Sequence, residues 1–255
     1  MKLVDTHCHI PHRKYDRTIP EIIEGVDKII AVGTSIKENN RTIEIANKYE
    51  NIFASVGIYP HDDMEKEIGE LYSQLKTDVA FTKVVAIGEG GIDITKWKGG
   101  RSIEDQVELF KMQIGLSTEL DLPIIVHNRN GDDVVYETLK KYIDNGIKIR
   151  GVMHSFSQTK EFAKKMLDFG FHISFSGMIT YPPNVELREV ARMIPADRLL
   201  AETDAPYLPP QGHRGEINYP KYVRIVAEKL AEVRNTPIED ISQTLYRNSN
   251  YLFGI

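Results

Sequence analysis

Two histidines stand two residues apart near the start of the chain, in Val4-Asp5-Thr6-His7-Cys8-His9. The run reads as a short strand. Alternate side chains of a strand share a face, so His7 and His9 point together and Cys8 points away. Two imidazoles converging at a strand end make half a site for a divalent cation. The pattern recurs along the chain. Glu89 follows Ala86-Ile87-Gly88, His127 ends Ile124-Ile125-Val126, His154 ends Gly151-Val152-Met153, and Asp204 follows Leu200-Ala201-Glu202-Thr203. Any one of them alone is as readily a solvated or satisfied polar group. Six such residues at the same ends of apolar runs make coincidence a poor account. Four imidazoles and two carboxylates exceed the needs of one tetrahedral site, and they suit two cations sharing a bridging carboxylate and a bridging hydroxide.

Those residues need a frame that brings five strand ends together. Strands are expected at Val4–His9, Lys28–Val32, Ile52–Val56, Val84–Ile87, Leu122–Val126, Ile149–Met153, Phe171–Phe175 and Leu199–Glu202. They are short, rich in β-branched residues and apolar on both faces, as buried parallel strands are. Helical spacing falls between them, over Ile19–Glu24, Ile36–Tyr49, Asp63–Lys76, Ile103–Glu119, Asp132–Asp144, Thr159–Phe169, Val185–Met193, Tyr219–Val233 and Pro237–Leu252, with Thr236 as the last N-cap. Asp93 to Ser102, with Trp97, is the longest irregular stretch and is expected to cover the mouth. Eight strand–helix units in 255 residues predict an α/β fold, a (β/α)8 TIM barrel forming one domain over 1–255. A doubly wound sheet is the alternative, weakened by the lack of a G-x-G-x-x-G at the first strand–helix turn. In a barrel all strand C-termini share one face, so all six candidates meet there. Strand four faces strands one and eight, which makes Glu89 the bridge.

Composition sets the bounds. Hydrophobic residues are 41% and charged residues 27%, ordinary for a globular protein, and the formal net charge is −5. That balance argues against a broad basic face coating duplex nucleic acid. The single cysteine, Cys8, allows no intramolecular disulfide and reads as a core residue, which suits a reducing cytoplasm. No basic-then-apolar leader and no bilayer-length apolar run is present, so neither a signal peptide nor a membrane association is expected. A monomer is the default expectation.

The motifs carry a resemblance. Asp5-Thr6-His7-Cys8-His9, Gly88-Glu89-Gly90-Gly91-Ile92-Asp93, His127-Asn128-Arg129, His154-Ser155-Phe156-Ser157 and Glu202-Thr203-Asp204-Ala205-Pro206-Tyr207-Leu208 resemble the TatD family of metal-dependent deoxyribonucleases. Arg214-Gly215, Asn218, Pro220 and the final stretch Asn248–Phe253 extend it over nearly the whole chain. The resemblance implies an amidohydrolase-type barrel and metal-dependent phosphodiester hydrolysis on DNA. It implies one metal on His7, His9, Glu89 and Asp204 and another on Glu89, His127 and His154. It adds His61, from Gly57-Ile58-Tyr59-Pro60-His61, as a substrate neighbour. It further implies Mg or Mn, and 3′–5′ exonuclease action on single-stranded ends. Departures from the family pattern are Tyr59 in place of a histidine, Asn130 in place of an aspartate, Tyr219 in place of a glutamate, and Gly90 and Ile94. None removes one of the six ligands, so they bear on substrate preference.

The expected mechanism follows from those residues. Two divalent cations (Mg, Mn or Zn) lower the pKa of a water, and Asp204 accepts its proton as general base. Arg129, two residues beyond His127, can grip a phosphate bidentately or pair with a neighbouring acid, and Arg214 is a second candidate. Tyr59, Trp97, Phe156, Tyr207 and Tyr219 lie near the mouth. Trp97 is the best base-stacking candidate, and packing suits Phe156 and Tyr207. His172 reads as structural, and His12 and His213 as solvated loop residues. The competing activity is an amidohydrolase acting on a cyclic amide, lactone or phosphoester. Such enzymes commonly bridge their metals with a carbamylated lysine on strand four, where this chain has Glu89 and where Lys83 comes too early. A metal-stabilised scaffold without activity is the third reading, and the intact ligand set argues against it.

Overall fold

A computed structural model describes residues 1–15, 17–95 and 97–255. The strands are β1 (Val4–Cys8), β2 (Lys28–Val32), β3 (Ile52–Val56), β4 (Val84–Asp93), β5 (Ile124–Arg129), β6 (Gly151–Met153), β7 (His172–Phe175) and β8 (Leu199–Ala201). The helices are α1 (Ile19–Ile23), α2 (Ile36–Lys48), α3 (Ile68–Asp78), α4 (Ile103–Glu119), α5 (Asp132–Asp144), α6 (Lys160–Asp168), α7 (Val185–Met193), α8 (Val223–Arg234) and α9 (Ile238–Phe253). Each strand pairs in parallel with the next, in the order β1 to β8. The ring closes just past β8, where His9 N donates to Ala205 O at 2.7 Å and Asp204 N donates to His7 O at 2.9 Å. The fold is the TIM barrel that the alternation predicts. Among the described residues no helix is long and apolar enough to cross a membrane.

Strand alternation separates two cores. Ile29, Ala31, Ile124 and Val126 face the helices, while Ile30, Val32, Ile125, Val152 and Leu200 fill the barrel interior. Leu252 and Phe253, at the end of α9, join the interior set. Phe110, Phe156, Phe171 and Phe175 are fully buried, each stabilising the fold by about 2–3 kcal/mol relative to exposure. His127 and His154 stand two residues beyond the interior positions Ile125 and Val152, so the same phase carries them above the apolar layer.

Two strands depart from strict alternation where ligands sit. Asp5 pairs with Ile29 and Cys8 with Ala31, so β1 takes three steps against two on β2. Ile87 pairs with Ile124 and Gly90 with Val126, a second such offset. Bulges of this kind re-aim a side chain, and these two lie at Thr6-His7 and Gly88-Glu89. Beyond the second bulge, Gly91 has φ 146°, and a Cβ there would meet the His127 carbonyl oxygen at 2.0 Å. Only glycine allows that approach of β4 to β5.

Several boundaries differ from expectation. β4 continues to Asp93 rather than ending at Ile87, because β5 continues to Arg129 and supplies its partners. The irregular segment therefore begins at Ile94, and its residue 96, like residue 16 of the polar stretch after β1, lies outside the described residues. α3 begins at Ile68, not Asp63. Asp63 has a left-handed φ of 47°, and its carboxylate accepts the Ile36 N–H at 2.7 Å at the start of α2. The helix expected from Tyr219 opens as a 3-10 turn, Pro220–Tyr222, before α8. Pro237, not Thr236, is the N-cap of α9, since the Thr236 hydroxyl donates back to Arg234 O at 3.1 Å.

Helix α4 holds the strands behind the site. Gln106 accepts from Asp93 N at 2.9 Å and donates to Asp93 O at 3.1 Å. Gln113 does the same with Ile58, both bonds at 3.0 Å. These clamps use buried amides that pair both the N–H and the C=O of one backbone residue, so they fix the chain at the ends of β3 and β4.

Candidate metal centre

The six predicted ligands converge at the C-terminal mouth. Glu89 organises them, because its two oxygens face different partners. Oε2 lies 3.2 Å from His7 Nε2 and 3.6 Å from His9 Nε2. Oε1 lies 2.7 Å from His127 Nδ1 and 3.0 Å from His154 Nε2. Within each pair the imidazole nitrogens face one another, His7 to His9 at 3.3 Å and His127 to His154 at 3.1 Å. Asp204 joins the first pair, with Oδ1 3.4 Å from His9 Nε2 and 3.7 Å from His7 Nε2. The His7 and His154 rings stack at 4.1 Å, so the two halves abut. Among the described residues, His7–His9–Glu89 and Glu89–His127–His154 each hold donor atoms close enough to share one ion, as do His7, His154 and Glu202.

The donor set fits divalent cations. Donors about 2.1 Å from one ion at tetrahedral angles lie about 3.4 Å apart, close to the separations within each half. Imidazole and carboxylate together accept Zn, Mn, Fe or Mg, with the imidazoles leaning away from pure Mg. The electrostatics point the same way. Burial alone would push the Glu89 carboxyl up, but His154, His127 and His7 hold it well below the usual range. Burial would lower His154, yet Glu89 and Glu202 raise it well above an ordinary histidine. His9 is carried up to about 9 against its burial, by Asp204 and Glu89. His7 is lowered, by burial and by the neighbouring His154. Asp204 stays below its ordinary value despite burial, through His9 and His7. Without a metal, protons supply the positive charge that this cluster demands.

The other nitrogen of each imidazole has its own surroundings. His154 Nδ1 lies 3.3 Å from Glu202 Oε1, which also accepts Ser155 N at 2.7 Å. His127 Nε2 lies 3.6 Å from Asp93 Oδ2 and 3.5 Å from the Tyr59 hydroxyl. That hydroxyl donates to Asp93 in a short bond, while Thr95 donates to the other Asp93 oxygen through N at 2.8 Å and Oγ1 at 2.5 Å. Burial would raise Asp93; His127, Thr95 and Tyr59 outweigh it and hold the carboxylate low. His9 Nδ1 bonds the Val32 carbonyl at 3.1 Å, and His7 Nδ1 is buried without a hydrogen-bond partner among the described residues. Such partners orient a ligating imidazole and set its basicity.

Sequence reasoning did not single out Asp93, Glu202 or Asp5. Glu202 continues the inward phase from Leu200, a signal that could have found it. Asp93 is hidden by the unexpected length of β4. Asp5 is fully buried, and its carboxylate accepts Thr203 N at 2.8 Å, Thr203 Oγ1 at 2.5 Å and His7 N at 3.4 Å. It ties β1 to the segment after β8, and burial pushes it up to about 8.

The expected substrate contacts divide. Arg129 sits at the mouth, with Nη1 3.6 Å from Asp93 Oδ2 and more than half of its side chain exposed, so the ion pair expected as the alternative to phosphate binding forms, while much of the guanidinium stays open to solvent. His61 lies on the wall beyond β3, with Nε2 3.1 Å from Asp93 O and its ring 5.2 Å from Trp97. Arg214 lies over the Tyr181 ring at 4.7 Å and makes no ion pair among the described residues. Trp97 is 52% exposed, which suits stacking, and Phe156 is fully buried. Tyr207 is on the rim rather than in the core, edge-on to His9 at 5.8 Å. His12 and His213 are half-buried with partners rather than merely solvated: His12 bonds the Tyr207 hydroxyl at 3.0 Å, and His213 pairs with Glu216 at 2.8 Å. His172 and Cys8 are buried in the fold, as expected.

Comparison with known proteins agrees with this geometry. The family model described as TatD related DNase matches residues 4–254. The chain is 37% identical to an uncharacterized metal-dependent hydrolase, YabD, of Bacillus subtilis, over 99% of both chains. It is 34% identical to the similarly described YcfH of Escherichia coli, over 100% of this chain and 97% of that one. The crystal structure of YjjV, a TatD homologue from Escherichia coli, superposes with a TM-score of 0.91 at 31% identity, covering 99% of this chain and 98% of that one. A donor set spread over the same strand ends, and similarity along the whole chain, lead to one conclusion: this protein belongs to the TatD-related family of metal-dependent hydrolases.

Proposed function

We propose that the protein hydrolyses phosphodiester bonds of DNA, working from single-stranded ends with two divalent cations. The observation that carries this is Glu89, whose two oxygens each face a separate pair of imidazoles. That arrangement suits a carboxylate bridging two ions. His7, His9, Glu89 and Asp204 would hold one ion, and Glu89, His127 and His154 the other. When bound, the ions activate a water near neutral pH and polarise a phosphoryl oxygen. Asp204, at 13% side-chain exposure and held ionised by His9 and His7, takes up the proton of the attacking water at its carboxylate. Arg129 holds the phosphoryl oxygens with the guanidinium donors left free by Asp93. His61 and Trp97 flank the bound end. Lys83 cannot act as a carbamylated bridge, since it lies before β4, half-buried, with Nζ on the Glu50 carbonyl at 2.6 Å. That favours the nuclease over the lysine-bridged amidohydrolases.

The test is cleavage of an end-labelled single-stranded oligonucleotide after chelation and re-addition of Mg, Mn or Zn, with Glu89→Gln as control. A metal-restored ladder absent in the variant supports the reading, and the label's position gives the polarity, expected 3′ to 5′. Demonstrable metal binding without cleavage would turn the reading toward small esters, lactones and amides.

A further inference from the structure

The mouth is electrostatically lopsided. Beside β5 to β7 a groove of about 1310 Å³ runs from Arg129 past the starts of α5, α6 and α7. Five carboxylates line it, Asp132, Asp133, Glu161, Glu186 and Glu189, against the cations Arg129 and Lys160. On the opposite rim the described residues of the β1–α1 and β8–α8 connections include Arg13, Lys14, Arg17, Arg214 and Lys221 against Glu216, apart from the carboxylates at the metal centre. A cavity of about 410 Å³ between the β1–α1 connection and helix α2 is lined by Arg13, Arg17, Arg41 and Lys48, with Glu44 the single carboxylate among its described residues.

The rim cations are interleaved with aromatic rings. Lys14 Nζ lies 4.3 Å over Tyr207, Arg17 lies 5.2 Å over Tyr219, and Lys221 lies 5.8 Å from both Tyr219 and Tyr222. The strip begins at the metal centre, because Tyr207 packs edge-on against His9 at 5.8 Å. A second set of rings on the same rim runs from Tyr15 to Tyr219 at 5.7 Å and from Tyr219 to Tyr222 at 6.2 Å. Exposed cation–ring contacts stabilise a fold by only about 0.5–1 kcal/mol each. Fold stability alone therefore gives little reason to gather one sign of charge on one rim. A flexible polyanion whose phosphates alternate with flat bases matches both components of the strip. The strip is narrow and the whole chain carries −5, which suits one strand and not a duplex.

We propose that a single-stranded nucleic acid, with its scissile linkage at the metal centre, lays its flanking nucleotides along the β1–α1/β8–α8 rim toward the cationic cavity, and avoids the β5–β7 groove. This rests on the phosphodiesterase reading above. It assigns Arg17 and Lys221, neither of them a candidate ligand, to strand binding.

The test is fluorescence anisotropy of a labelled, phosphorothioate-linked octathymidylate with the full-length, metal-loaded protein at several salt concentrations. The Arg17→Glu/Lys221→Glu variant is expected to weaken binding more than about tenfold. The neutral pair Arg17→Gln/Lys221→Gln is expected to weaken it less and to lower the salt slope by about 1.4, from two lost phosphate contacts on a single strand. Lys160→Glu, on the opposite groove, is expected to leave the affinity within about twofold. The proposal is overturned if Lys160→Glu weakens binding as much as the rim pair, if both rim pairs leave affinity and slope unchanged, or if oligoglutamate of equal charge competes as well as unlabelled octathymidylate. Wild-type hydrolysis of bis(p-nitrophenyl) phosphate reads the metal centre alone. Hydrolysis with no effect of the rim pairs would reject the rim and leave the phosphodiesterase. Neither hydrolysis nor oligonucleotide binding would reject both.

Discussion

The two halves of the candidate metal centre share Glu89 but are supported differently. In the His127–His154 half each outer nitrogen faces a carboxylate, Asp93 or Glu202. In the His7–His9 half, His9 leans on the neutral carbonyl of Val32, and His7 has no hydrogen-bond partner at its outer nitrogen among the described residues. An imidazole backed by a carboxylate is a more basic donor with a fixed ring. On the two-metal reading proposed above, the first half would keep its ion more firmly, and the second, with Asp204 and the rim residue Tyr207 beside it, would be the side of exchange and proton transfer.

Several experiments would break or sharpen that contrast. The largest effect is expected for Glu89→Gln, which weakens both halves at once: turnover should drop on the order of 10³-fold or more, and metal content measured after dialysis should fall in both halves. If bound metal stayed at the wild-type level, the bridging role would be lost. Asp204→Asn should cost about 10²–10⁴-fold in turnover while leaving the ion between His127 and His154 in place and the melting temperature nearly unchanged. Near-full activity would remove Asp204 as the proton acceptor. Glu202→Gln should weaken metal affinity about 10–100-fold at the His127–His154 half only, with Asp93→Asn smaller because Tyr59, Thr95 and Arg129 remain around it. Calorimetry resolving two binding events would show which one moves, and a change confined to the His7–His9 event would reverse the comparison.

The pH dependence is expected to differ with and without metal. His9 is raised from 6.5 to about 9 in the folded, metal-free protein. Its proton therefore contributes stability that is complete below about 6.5 and is lost as pH rises through about 9. A cation must displace that proton, so metal affinity should rise about tenfold per pH unit over the same window for each proton released. Denaturation with chelator, and metal titration in buffers of different ionisation heat, should show these opposite trends. Matching trends would mean that His9 is not a ligand. The smallest effect belongs to Tyr59→Phe. It removes one donor to Asp93 and should lower turnover by less than about tenfold, since Thr95 keeps Asp93 satisfied. A loss as large as that of Asp204→Asn would instead make the Tyr59 hydroxyl part of the chemistry.

Much of this protein is legible in local pattern. Short apolar runs alternating with helical spacing define a parallel barrel, because the periods of two and 3.6 are local properties of the chain. His127 and His154 follow interior residues by two positions, so their convergence can be read without coordinates. The strand boundaries were less legible at β4, whose last residues pair only because β5 also runs long. The same dependence on a partner hid Asp93, and it obscured the start of α3, where Asp63 serves the neighbouring helix instead of its own.

The sequence by itself determined the fold class and pointed to six candidate ligands at one mouth, since each follows from residue type and phase along one strand. Tertiary structure decided the rest. The bulges at Thr6-His7 and Gly88-Glu89 exist only relative to the neighbouring strands. Support of His154 by Glu202 spans 48 residues of chain, and the Asp5–Thr203 tie spans 198. The division of the mouth into an acidic groove and a basic aromatic rim depends on which loops lie side by side. Hydrogen bonds and fields act over a few ångströms of space, whatever the distance along the chain, so only the folded barrel could reveal them.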